Sequence, residues 1–238
     1  MADLDKLAGG RFVIFGRAGM DLYPDPPGTK TEEAATFFSC LGGSSANIGV
    51  ALTRHGGHCS LVTSVSDDAI GRFAVNELAK YGIDHSHVKS VGAELRTSLA
   101  VVETRVEDHQ SVIYRNGAAD FEMTIEDVSA VDYSQFDALI TTGTVFAQQP
   151  SRDAVFHSFE LAKVAGLPLI FDVDYRPYSW VSPADAAATY SRAAAACDIV
   201  IGNDVEFGFM AGAFDRGLEK ARALANDSAQ IVIYKMGE

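Results

Sequence analysis

Long apolar runs, a cysteine framework and a surplus of basic residues are all missing from this sequence. Its three cysteines, Cys40, Cys59 and Cys197, are scattered over 238 residues. Odd in number and without a C-x-x-C pair, they exclude a disulfide frame or a zinc ribbon and read as reduced thiols of a cytoplasmic protein. No apolar stretch nears the roughly 20 residues that a membrane helix needs. Residues 1–10 carry acids and no apolar run, so no secretory signal is read there. Lys and Arg together number 19 against 32 Asp and Glu, a net charge of −13. That balance repels polyanions, so neither nucleic acid nor an anionic membrane is expected as a partner. Small anionic ligands stay open, because they need only local cations. The six histidines lack metal-type spacing, and there is no Walker P-loop and no Gly-x-Ser-x-Gly elbow.

What is present is an ordinary globular composition, 47% hydrophobic and 21% charged, long enough for one substantial core. Apolar runs alternate with helical periods. Residues 12–15, 59–65, 138–142, 169–173, 199–202 and 230–235 read as strands. Residues 44–54, 68–81, 151–165, 183–196 and 218–225 read as helices. Strands and helices in this rhythm predict βαβ units. The fold class is α/β: a mostly parallel, twisted sheet with helices on both faces. About 22–41 and 96–121 break the rhythm with short strand patterns, and together they predict a small β-flap lid beside the main sheet. Residues 1–238 are expected to form a single domain with no internal repeat.

Ligands of open α/β sheets bind beyond the carboxyl ends of the strands, and that rule selects candidates. In Leu41-Gly-Gly-Ser-Ser-Ala-Asn47, glycines allow close backbone approach and Asn47 can donate and accept. The helix starting there adds free N–H groups. A plain strand-to-helix turn accounts for the same residues. Asp21 suits sugar hydroxyls or a turn. Asp172-Val-Asp174-Tyr-Arg176 places two acids and an anion-binding fork at a strand tip, or an internal ion pair. Asn203 and Glu206 form a capping box, or stand near nucleotide phosphates. Arg115 is a solvated charge or a lid contact to an anion.

In order along the chain, several segments match a known pattern: Gly16 to Asp21, Gly42-Gly43-x-x-Ala46-Asn47, Gly71-Arg72-Phe73, Tyr114-Arg115, Asp172-x-Asp174-x-Arg176, Asn203-x-x-Glu206 and Lys235-x-Gly237. The chain thereby resembles the ribokinase-like (PfkB) carbohydrate kinase family over nearly its whole length. "GRAGMDLYP", "TFFSCLGGSSANI", "PSRDAV" and "DVDYRPYSW" are similar to the branch acting on 5-dehydro-2-deoxygluconate in inositol catabolism. The resemblance implies transfer of the ATP γ-phosphoryl to a hydroxyl of a sugar acid, with Mg2+ and a monovalent cation as further cofactors. 2-Keto-3-deoxygluconate and nucleosides are alternative substrates, and a non-catalytic sugar-binding module is the alternative of another class. By the same resemblance, Asp21, Gly42, Gly43, Asn47, Tyr114, Arg115 and Arg176 would bind substrate, with Arg176 also catalytic. Asn203, Glu206, Lys235 and Gly237 would bind nucleotide, Glu206 ordering the metal through water. A homodimer through the lid is implied as well. The family's base, an aspartate in a Gly-Ala-Gly-Asp motif, does not occur in these 238 residues. Neither Asp172 nor Asp174 is promoted in its place. The base is expected beyond Glu238, on the C-terminal catalytic part of a longer kinase.

Overall fold

Seven strands run parallel in one sheet, and a second sheet of four strands stands at its edge. The computed structural model describes residues 2–92 and 94–236. Along the chain, β1 (Arg11–Phe15) leads into β2 (Gly19–Asp25) and β3 (Thr36–Gly42). Then come α1 (Ser44–Arg54), β4 (His58–Ser66), α2 (Ala69–Lys80) and β5 (Val88–Val91). Two short strands follow, β6 (Leu99–Val102) and β7 (Ser111–Tyr114), and α3 (Ile125–Ser129) leads to β8 (Ala138–Thr142). The remaining elements are α4 (Ser151–Val164), β9 (Leu169–Asp172), α5 (Pro183–Ala196), β10 (Ile199–Asn203), α6 (Asp204–Ala211), α7 (Gly217–Asp227) and β11 (Ile231–Lys235).

The large sheet has the order β11-β10-β9-β8-β1-β4-β5, with every pairing parallel. Alternation along β1 divides the core between its two faces. Phe12 and Ile14 pack with Ala46 of α1 and Ala74 and Leu78 of α2. Val13 and Phe15 pack on the other face with Phe159 of α4, Tyr190 of α5 and Phe207 of α6. Strands buried on both faces read as near-continuous apolar runs, which is why the sequence showed them plainly.

The lid is the second sheet, ordered β3-β2-β6-β7, with β2–β6 parallel and the other pairs antiparallel. It differs from expectation at its start. Asp21 lies within a lid strand, paired with Cys40, rather than in a loop after β1, because the chain turns into β2 within four residues of leaving the main sheet. Two elements were not expected: strand β5, which is half polar, and the five-residue α3. Helix α6 was signalled only by its capping box, because residues 207–211 are an unbroken apolar run with no helical stripe.

Candidate active site

The carboxyl ends of β1 and β9, the start of α1 and the lid enclose a cleft of about 650 Å³. Arg17, Asp21, Gly43, Ser44, Asn47 and Arg176 line it, with Ala100, Val102, Ser111, Val112 and Ile113 of the lid strands and Tyr178. Four of the expected residues, Asp21, Gly43, Asn47 and Arg176, therefore meet in one place. Gly42 sits directly behind them. A side chain there would collide with the Asp21 carboxylate, so glycine is what lets that carboxylate lie over the turn. Gly43 has φ +100°, a left-handed conformation open to glycine, and no side chain caps α1 at this position. The first N–H groups of α1 thus start at the cleft without a side-chain partner.

Behind the cleft the turn is held by hydroxyls. Ser45 Oγ lies 2.9 Å from Thr142 Oγ1, which lies 3.1 Å from Thr144 Oγ1. Gly16 leaves the room that Ser45 occupies.

The tip of β9 is strained and charged. Asp174 is buried, has φ +37°, and forms an ion pair with Arg176 Nη2 at 2.7 Å through Oδ1, while Oδ2 has no hydrogen-bond partner among the described residues. Unusual backbone and an unsatisfied buried oxygen together mark functional sites. Burial pushes the Asp172 carboxyl up to about 6, with Lys235 opposing and Asp174 and Glu206 adding to it. Lys235 Nζ approaches Asp172 at 3.8 Å. Burial also raises Asp21, against the pull of Arg17.

Asn203 and Glu206 form the capping box of α6. Asn203 Oδ1 accepts from the Glu206 N–H and Glu206 Oε2 accepts from the Asn203 N–H, each at 2.8 Å. Glu206 Oε1 also accepts from the Tyr175 N–H at 3.0 Å, tying α6 to the loop that carries Asp174 and Arg176. Both carboxylate oxygens are committed to backbone, and the residue is buried. Asn203 and Lys235 are register partners on β10 and β11, so the expected nucleotide residues share one edge of the strand tips. Gly237 lies outside the described residues. No group of three or more His, Cys, Asp or Glu among the described residues is arranged to hold a metal ion.

Two expected substrate residues stand outside the cleft. Tyr114 is 63% exposed. It is the last residue of β7 and lies beyond the β7 residues that line the cleft, Ser111, Val112 and Ile113. Arg115 is buried; it donates to the Asp120 carboxylate and to the Thr144 carbonyl at 3.2 Å, and lies over the Phe121 ring. It borders a neighbouring hollow of about 420 Å³ that shares Ile113 and Tyr178 with the cleft. Arg17 and Tyr178 were missed. Arg17 directly follows the β1–Gly16 tip, so the strand-end rule applied to every polar residue after β1 would have found it.

The chain is similar to known proteins in sequence and fold. A 5-dehydro-2-deoxygluconokinase of Photobacterium profundum is 36% identical over 95% of this chain and 70% of its own length. One from Geobacillus kaustophilus is 35% identical over 95% of this chain and 69% of its own. A solved PfkB protein of Polaromonas sp. JS666 superposes with a TM-score of 0.83 at 26% identity, over 95% of this chain and 76% of that one. The fold is ribokinase-like. A family profile described as "pfkB family carbohydrate kinase" matches residues 10–238. The chain belongs to the PfkB family of carbohydrate kinases.

Proposed function

We propose that this chain is the sugar-holding part of an ATP-dependent kinase for an acidic sugar, 5-dehydro-2-deoxy-D-gluconate. The observation that carries the reading is the cleft itself. It joins hydroxyl-binding groups, Asp21 and Asn47, to the cation of Arg176 under a lid. The relatives named above act, by their names, on that sugar acid. Arg176 and a protein of net charge −13 fit an anion drawn in by local cations rather than by the overall field.

In this reading Asp21 accepts hydrogen bonds from sugar hydroxyls, and Asn47 both accepts and donates. The uncapped start of α1 offers N–H groups to the same ligand. Arg176 neutralises negative charge on the carboxylate or on the phosphoryl in transit. Phosphoryl transfer asks mainly for positioning and charge neutralisation. The acceptor oxygen bonds to the γ-phosphorus as the bond from that phosphorus to the bridging oxygen breaks, and ADP leaves. The hydroxyl proton passes to a carboxylate base that this reading puts beyond Glu238. The nucleotide lies along the tips of β10 and β11, by Asn203 and Lys235. Mg2+ and a monovalent cation are the ions this reading expects, and the described residues hold no cluster of three or more His, Cys, Asp or Glu arranged for a metal. Ile231 and Ile233 of edge strand β11 are 43% and 45% exposed. Apolar surface of that kind favours a kinase with further chain packed there over a self-contained sugar-binding module. Exposed Phe37, Phe38 and Val112 on the lid support a homodimer through it. No helix among the described residues is long and apolar enough to cross a membrane, in keeping with a cytoplasmic enzyme.

The test is ADP formation by the intact native protein with ATP and Mg2+, offering 5-dehydro-2-deoxy-D-gluconate, 2-keto-3-deoxygluconate, D-fructose and adenosine as acceptors. The highest kcat/KM is expected for the first. A preference for fructose or adenosine would contradict the reading.

A further inference from the structure

Three arginines gather around the cleft, and two already have carboxylate partners. Arg115 pairs with Asp120 and Arg176 with Asp174. Arg17 has no carboxylate within 4 Å among the described residues, although it is only 8% exposed. Its Nη1 donates to Ser98 Oγ at 2.8 Å, which fixes the plane of the guanidinium. Its Nε is buried with no partner, and Nη2 makes no hydrogen bond to the described residues. The edge left free is the one whose two parallel N–H groups match a carboxylate. Arg17 lines the same cleft as Asp21, Asn47 and Arg176.

We propose that the Nε–Nη2 edge of Arg17 takes the carboxylate of the sugar acid, so that Arg17 is the residue selecting acidic over neutral sugars. The inference rests on the sugar-acid kinase reading above. A buried charge without a partner is costly, and the protein does little to relieve it. Burial is the largest effect lowering the Arg17 pKa, and Arg115 adds to it; Asp120, Asp174 and Asp21 oppose. Of those three acids, Asp120 and Asp174 are already paired with other arginines. An incoming carboxylate supplies a counter-charge in direct contact, which Asp21 in the same cleft does not, whereas a neutral sugar leaves Arg17 as it stands. Recognition of that kind discriminates strongly, because the wrong ligand leaves a buried donor unmatched.

The test is calorimetric titration of the intact protein with 5-dehydro-2-deoxy-D-gluconate and, separately, with neutral D-fructose, for wild type, Arg17→Gln, Arg17→Lys and Ser98→Ala. Wild type should bind the acid at least tenfold more tightly than fructose. Arg17→Gln should weaken the acid about 10- to 100-fold and fructose less than threefold, erasing the preference. Arg17→Lys, which keeps the charge but not the fork, should fall between. Ser98→Ala, which frees the guanidinium to rotate, should weaken the acid by a few fold only. It decides the matter if Arg17→Gln does not fold. Equal weakening of both ligands would assign Arg17 a structural role and overturn the inference. An acid preference that survives in Arg17→Gln, or that is undiminished in Ser98→Ala where that variant decides, would overturn it while leaving the sugar-acid reading intact. A wild type with no acid preference would overturn the sugar-acid reading and the inference together.

Discussion

The two ends of the large sheet treat charge in opposite ways. At the amino ends of the strands every acid used is satisfied. Asp198 accepts from the Leu169 N–H at 2.9 Å, from the Ala2 N–H at 3.2 Å and from Gln230 Nε2 at 3.3 Å. Asp137 accepts from the Arg11 backbone and side chain. Burial would push Asp84 up, but hydrogen bonds from Ser86 and Ser60 outweigh it and hold the carboxyl below its ordinary value. At the carboxyl ends the balance fails. Asp174 keeps an unpartnered oxygen in left-handed backbone, Arg17 keeps an unpartnered Nε, and Asp172 is pushed up to about 6. The same residue types have their partners built in at one end of the sheet and are left short of partners at the other, which is the pattern a binding site needs.

The comparison breaks most visibly at Arg176. Arg176→Ala should lower kcat/KM for the sugar acid about a hundredfold, as loss of a charge-neutralising contact does, measured as initial rates of ADP formation by the intact protein. Asp198→Ala should do the reverse. It should cost about 2–3 kcal/mol of unfolding free energy in urea and leave kcat/KM within a factor of two.

Asp172 sharpens the comparison through pH. Its folded-state pKa of about 6 lies above the ordinary carboxylate value of 3.8, so the folded state favours the protonated form. The stability this contributes is fully present below about pH 4 and is lost as pH rises through about 6, an effect of about 3 kcal/mol at most. Asp172→Asn should flatten that part of the urea-midpoint profile between pH 4 and 7. The smallest effect is expected at Asp174. Asn tolerates left-handed backbone better than most residues and carries no charge to bury. Asp174→Asn should therefore stabilise the fold by about 1 kcal/mol in thermal unfolding while reducing activity, the trade expected of a strained site.

The scaffold was legible because its signals are local. Strand β8 and helices α1 and α5 begin and end where apolar runs, the Gly56 and Gly57 pair, and Ser182-Pro183 say they should. The gathering of Asp21, Gly43, Asn47 and Arg176 was legible because strand tips converge in any open parallel sheet. The lid residues were not. On β7, Ser111, Val112 and Ile113 line the cleft while Tyr114 at its end is exposed, and how far along the strand the cleft reaches is set by long-range pairing with β6. Arg115 read as an available cation because its partner, Asp120, follows five residues later through a turn the sequence does not fix. Arg17 was passed over because one arginine after a strand carries no local signal. Its meaning appears only when Ser98, 81 residues away, holds one side of it.

The most direct test of this division is chemical-shift mapping. Amide resonances of the 15N-labelled protein would be followed while 5-dehydro-2-deoxy-D-gluconate is added. The account predicts perturbations concentrated at Arg17, Asp21, Gly43, Ser44, Asn47 and Arg176, with the opposite end silent. Perturbations centred instead on the hollow at the amino ends of the strands, lined by Arg11, His58, Asp84 and His87, would contradict it.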